Sequence, residues 1–128
     1  MTLRSKGKRS FKNSLRDCFN GLDYVIVNED NFKREIILGA TSLILGFILK
    51  ISRMEFIVIL LMIMLVLFAE VINTAIERVV DLYTSQYNEM ARIVKDVAAS
   101  SVIIVCFFAV VVGLVIYVPK ILVFLGGK

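Results

Sequence analysis

From residue 11 onward the apolar positions recur at helical spacing. Phe11, Leu15, Cys18, Phe19, Leu22, Val25 and Ile26 fall on one side, and Lys12, Asn13, Arg16, Asp17, Asn20 and Asp23 on the other. This stretch is too polar to span a bilayer and reads as an amphipathic helix lying in the interface, over residues 11–28. Asn28-Glu29-Asp30-Asn31 follows as a turn and helix start, in which Asn or Asp can cap the next helix. Taken alone, Glu29 reads there as a solvated turn residue. An apolar run over 36–49, widened to 32–51, is long enough to span if Lys33, Arg34 and Lys50 snorkel. A short turn at Ser52-Arg53-Met54-Glu55 makes the next helix antiparallel. That second span, over 54–83, opens with 14 uncharged residues at 56–69. Beyond a polar connection, Lys95-Asp96 opens a third span over 96–118, containing 22 uncharged residues and stopped by Pro119. The pattern predicts an all-α integral membrane protein, with an N-terminal amphipathic surface helix and three transmembrane helices.

The second span carries the chain's most unusual feature. Counted from Phe56 to Tyr83, its 28 residues measure about 42 Å at a helical rise of 1.5 Å, against about 30 Å of hydrocarbon, so its last turns project into headgroups and water. Those turns hold Glu70, Asn73, Thr74, Glu77 and Asp81. With Glu70 at zero, Asn73 falls near −60°, Glu77 near −20°, Asp81 near +20° and Thr74 near +40° at about 100° per residue. Three carboxylates and an amide therefore share one stripe, on a helix otherwise apolar. Like charges one turn apart repel, and carboxylates near a bilayer are costly. A bound cation would offset both; a solvated helix end just outside the membrane is the alternative. Glu70 sits at headgroup depth, placed to accept a proton from a lipid hydroxyl, with Glu77 and Asp81 on the aqueous side.

Composition narrows the chemistry. The chain has 128 residues, 59% of them hydrophobic, and is expected to form one domain (11–128) behind a basic tail (1–10). No apolar segment of signal-peptide type follows the basic N-terminus. Histidine is absent and Cys18 and Cys106 are isolated, which excludes a His/Cys metal site, argues against a disulfide and leaves oxygen ligands for any metal. The net charge of +4 is concentrated near the N-terminus beside apolar helices, which favours an anionic membrane surface over nucleic acid. Eleven Lys and Arg residues lie on the side of the N-terminus and the carboxylates, against four on the other, so that side is expected in the cytoplasm, where ATP is. Gly39, Ser42 and Gly46 on the first span, and Ala109 and Gly113 on the third, form small-residue faces compatible with close helix packing. The final Gly126-Gly127-Lys128 lacks the spacing of a phosphate-binding loop.

The segment Glu70-x-x-Asn73-Thr74-Ala75-Ile76-Glu77-x-x-x-Asp81, with Lys95-Asp96-Val97-Ala98-Ala99 and Asn28-Glu29-x-x-Phe32-x-x-Glu35, closely resembles the prokaryotic diacylglycerol kinase family. The resemblance runs from about residue 11 to residue 118. It implies a small homotrimeric enzyme of the bacterial cytoplasmic membrane, with ATP as co-substrate, Mg²⁺ as cofactor and a membrane lipid alcohol as acceptor. It further implies Glu70 as general base, with Asn73 holding it or the substrate. Glu29 and Glu77 are implied as the Mg²⁺ ligands, and Gln86, Tyr87, Asn88, Lys95 and Asp96 as nucleotide contacts. Glu35 and Ala99 join Glu70 at positions implied for lipid contact. Without the resemblance, Lys95-Asp96 reads equally as a helix cap with an anchoring charge. In the Gram-negative enzymes an arginine of the surface helix contacts substrate and nucleotide; the aligned residue here is Ser10, with Arg9 beside it. The Lys-Asp-Val-Ala-Ala run looks more like the Gram-positive branch, for which undecaprenol is an alternative acceptor to diacylglycerol. Both lipids present one primary hydroxyl, so the motifs do not discriminate them.

Two other readings compete. In a small transporter or channel subunit the carboxylates would line an ion path, although they cluster at one end of a span rather than mid-bilayer. In a non-catalytic scaffold the polar stripe would serve assembly alone.

Overall fold

In a computed structural model of the protein, residues 10–126 are described. The basic tail, including Arg9, and the terminal Gly127-Lys128 lie outside them; Ser10 precedes the first helix. The described chain is four helices: α1 (Phe11–Asn28), α2 (Asp30–Ile48), α3 (Arg53–Tyr83) and α4 (Glu89–Gly126). α3 is the central element, packed along α4 and against α2, while α1 touches both α2 and α3. α3 and α4 are each long and apolar enough to cross a membrane.

The helix boundaries follow local chemistry, and several differ from the sequence expectation. The α1–α2 break is a single residue, Glu29 (φ −112°, ψ 107°), which ends one helix and begins the next. Neither Asn28 nor Asp30 caps α2 as expected. Asn28 instead donates its amide back to the Tyr24 carbonyl at 2.7 Å, and the Glu29 carboxylate is drawn away to Arg78. Asp30, in the first turn of α2, is paired with Lys33 at 2.9 Å, which holds its carboxyl below the usual range.

The α2–α3 turn lies one step earlier than expected, because Arg53 already belongs to α3. Lys50 adopts the left-handed conformation (φ 51°), and the Ile51 and Lys50 N–H groups donate to the Gly46 and Phe47 carbonyls at 3.1 and 3.2 Å. This is the paired closure of a Schellman motif. Ser52 then caps α3 reciprocally: its hydroxyl accepts from the Glu55 N–H at 3.2 Å, and the Glu55 carboxylate accepts from the Ser52 N–H at 2.6 Å.

α4 departs furthest from expectation. It begins at Glu89, not at Lys95-Asp96, because Asn88 supplies the cap: its side-chain oxygen accepts from the Ala91 N–H at 3.0 Å. Lys95 and Asp96 therefore lie inside the helix. Nor does Pro119 stop it, since α4 runs through Pro119 to Gly126. A proline costs the helix one hydrogen bond and crowds the carbonyl four residues back, but an apolar helix with neighbours tolerates this. The next residue, Lys120, reaches Glu55 of α3 at 3.3 Å and ties the continuing turns to the bundle.

The packed core sits at the end of the hairpin away from Glu70. Ile59, Ile116 and Tyr117 are buried there, against Leu43, Leu49, Ile63 and Val112 among others. The Tyr117 hydroxyl donates to the Ser42 carbonyl at 2.7 Å and lies 3.0 Å from the Ser42 hydroxyl, joining α4 to α2. Elsewhere α2 and α4 stand apart. Their small residues Gly39, Ser42, Ala109 and Gly113 line a largely apolar cavity of about 320 Å³, walled on the third side by Ile59, Met62, Ile63 and Val66 of α3. Glu35 and Cys106 also line it.

Candidate active site

The first turn of the stripe on α3 is buried more deeply than a solvated helix end would be, whereas Glu77 is half-buried and Asp81 exposed. Glu70 and Thr74 are each 3% exposed and Asn73 is 8% exposed. The Asn73 amide nitrogen donates to Glu77 at 3.2 Å, across one turn as the periodicity requires. Its carbonyl oxygen, Oδ1, and the Thr74 hydroxyl are both buried without a partner. Buried polar atoms normally find partners, and leaving one unpaired costs about 1–3 kcal/mol. Glu70 lies within electrostatic range of Glu29 and Glu77, and Glu35 within range of Glu70. The α1–α2 junction and α2 thus bring two further carboxylates to the face of α3 that carries Glu70.

Beside this centre lies an open cleft where α3 meets α4. Its volume is about 560 Å³, and Asp81, Gln86, Tyr87, Asn88, Lys95 and Asp96 are among its lining residues. All five positions expected to contact a nucleotide therefore line one cavity. The folded connection explains how: the Thr84 hydroxyl accepts from the Gln86 N–H at 3.1 Å and donates to the Gln86 carbonyl at 3.2 Å, holding the loop tight, and Asn88 starts the helix that carries Lys95 and Asp96. Lys95 is paired with Asp81 across the cleft, and Arg92 with Asp96 at 3.0 Å along α4.

Two residues not singled out from sequence join the site. Arg78 donates to Glu29 at 2.6 Å, approaches Asp81 at 3.7 Å and lies over the Tyr24 ring, 5.7 Å from its centroid. It thereby pins the α1–α2 junction to α3. The available signal was its position at the edge of the carboxylate stripe, where a cation has acidic neighbours. Tyr24 carried none beyond a place on an amphipathic helix. Of the other expected positions, Glu35 lines the apolar cavity with its Oε2 buried and unpartnered, whereas Ala99 lines neither cavity. Among the described residues, no three Cys, Asp or Glu side chains gather closely enough to hold a metal by themselves.

Fold and site together define a helical membrane protein, with a buried carboxylate centre at one end of its bundle that abuts an open polar cleft. Sequence comparison gives the family. The family model of prokaryotic diacylglycerol kinase matches residues 16–117, and the chain belongs to that family of lipid kinases. It is 36% identical over 92 residues to the undecaprenol kinase of Bacillus subtilis, covering 72% of this chain and 75% of that protein. It is 34% identical over 110 residues to a diacylglycerol kinase of Synechocystis sp., covering 85% of this chain and 63% of that protein. Against the diacylglycerol kinase of Escherichia coli K12 the identity is 29% over 93 residues, covering 73% and 76% respectively.

Proposed function

We propose that the protein transfers the γ-phosphoryl group of ATP to the primary hydroxyl of a membrane lipid alcohol, diacylglycerol or undecaprenol, with Mg²⁺ and with Glu70 as general base. The observation that carries this reading is the burial of Glu70 at 3% exposure beside unpartnered polar atoms of Asn73 and Thr74. A carboxylate held away from water is costly unless a substrate hydroxyl meets it. Glu70 accepts the hydroxyl proton as the lipid oxygen bonds to the γ-phosphorus. The bond to the β-phosphate bridging oxygen breaks, ADP leaves, and Glu70 later yields its proton to water. Little covalent work is asked of the protein; positioning and charge neutralisation supply most of the rate.

The donor set suits a hard divalent cation. Glu29, Glu77 and the free Oδ1 of Asn73 are oxygen donors, and Mg²⁺ commonly takes one or two carboxylates and completes its shell with phosphate oxygens and water. When bound, Mg²⁺ supplies neutralisation of charge on the transferring phosphoryl group. Gln86, Tyr87, Asn88, Lys95 and Asp96 hold the nucleotide in the 560 Å³ cleft. Glu35 and Ala99 flank the lipid. α2 serves as a third span, α1 lies on an anionic membrane surface, the site faces the cytoplasm, and a homotrimer completes the enzyme.

Labelled ATP offered to the purified protein in mixed micelles tests the reading, with diacylglycerol or undecaprenol present and with Mg²⁺ or a chelator. Transfer that requires Mg²⁺ is expected, and the labelled product identifies the lipid. No transfer to either lipid from folded protein would overturn the assignment.

A further inference from the structure

We propose that Arg78 is a phosphate-binding residue of the nucleotide site, and that its pairing with Glu29 is the resting arrangement which the incoming triphosphate displaces. This rests on the kinase reading above and adds a residue to it.

Four observations carry the inference. First, Arg78 stands between the two halves of the site. On one side its guanidinium donates to Glu29 at 2.6 Å; on the other it approaches Asp81, which lines the open cleft, at 3.7 Å. Second, its Nε is buried and has no acceptor, so the group retains an unsatisfied donor. The side chain as a whole is 43% exposed, so the guanidinium is open to solvent beside Asp81, a residue of the cleft wall.

Third, the balance of charge around the cleft is wrong for an anion as it stands. Glu29, Glu70, Glu77, Asp81 and Asp96 surround the site, and a triphosphate adds several negative charges. Of the cations at the cleft, Lys95 is held by Asp81 and Arg92 by Asp96, its neighbour one turn along α4. Arg78 is divided between two carboxylates, Glu29 of the α1–α2 junction and, at 3.7 Å, Asp81 of the cleft wall. Fourth, the chemistry of the group fits. A planar guanidinium presents paired donors that match phosphate oxygens, and a charge-assisted bond to phosphate replaces one to carboxylate without leaving either group buried and unpaired, provided that Glu29 gains a cation in exchange. Glu29 released from Arg78 becomes free to take part in holding Mg²⁺. The Tyr24 ring, under the guanidinium, keeps its plane in place while the partner changes.

The test measures binding as well as turnover. Wild type, Arg78→Ala and Arg78→Lys are titrated with a non-hydrolysable imido analogue of ATP plus Mg²⁺, and the KM values for ATP and for the lipid are measured separately. Arg78→Ala is expected to weaken analogue binding and raise the KM for ATP about ten- to hundredfold, with the lipid KM unchanged. Arg78→Lys, which keeps the charge but loses the fork, should recover part of the loss. Analogue affinity within twofold of wild type in both variants would overturn the proposal. So would equal shifts in both KM values together with a lowered melting temperature in the absence of nucleotide, since that pattern marks a latch between α1 and α3. If Arg78→Ala does not fold, Arg78→Lys and Arg78→Gln decide the question on the same readouts. Failure of the wild type itself to bind the analogue or transfer phosphate would refute the kinase reading, and this proposal with it, before any variant is compared.

Discussion

At the scale of single residues, the site is a set of polar atoms that would be poorly placed without substrates. Asn73 uses its amide nitrogen on Glu77 and leaves Oδ1 buried and free, and Thr74 leaves its hydroxyl free. Asn73→Ala removes both the tie to Glu77 and the free oxygen. Turnover should fall about ten- to hundredfold with a higher Mg²⁺ requirement, read from rate against Mg²⁺ concentration. Glu77→Gln should weaken Mg²⁺ binding more severely and abolish turnover; a normal rate in that variant would refute its assignment as a ligand. Much at this scale was legible in the sequence. The positions of Glu70, Asn73 and Glu77 follow from helical periodicity alone, and the structure places all three on one face. The pairing of Arg78 with Glu29 was not legible, because the two are 49 residues apart and only the docking of the α1–α2 junction on α3 brings them together. Glu29 read alone as a solvated turn residue for the same reason.

Elements are governed by their ends and their closest approaches. Lys50 holds a left-handed conformation that a side chain makes costly, so Lys50→Gly should stabilise the hairpin by up to about 1 kcal/mol, measured by unfolding in detergent micelles. At Gly39 a Cβ would meet Ile63 Cγ2 at 2.8 Å; this atom branches from the Cβ of a stiff side chain and cannot swing aside. At Gly46 it would meet Ile51 Cδ1 at 2.8 Å, a terminal methyl that can rotate away. Gly39→Ala should therefore be the more destabilising, by about 1–3 kcal/mol of overpacking less about 1 kcal/mol of helix propensity, and the two melting temperatures check the order. The existence of all four helices was readable from apolar periodicity, whereas their ends were not. Asn88 caps α4 nine residues before Val97, where the uncharged run that marks the helix begins. Pro119 is a strong stop signal in water, but an apolar helix gains more by continuing through it than by exposing its backbone.

The whole molecule is thinly packed. Among the described apolar residues only Val25, Phe32, Ile59, Ala98, Ile116 and Tyr117 are buried, while Leu61, Phe68, Ile103, Phe107 and Val115 are more than half exposed. For a soluble domain such a surface would drive aggregation; here lipid, and in our reading two further copies, cover it. Cross-linking of the purified protein in micelles is expected to stop at a trimer, and a purely monomeric species that remains fully active would count against completion of the site by neighbouring copies. The apolar character of the chain was visible at once in its composition. The cavity between α2 and α4 was not, because small residues on facing helices signal close approach and only the position of α3 shows that the two helices stand apart.

The most direct test of the account is the rate of phosphate transfer by Glu70→Gln, measured on protein whose helicity, assembly and nucleotide affinity match the wild type. Loss of the proton acceptor should lower the rate at least about a hundredfold, with the KM for ATP little changed. A rate within a few-fold of wild type would contradict Glu70 as the base and require another acceptor for the lipid proton.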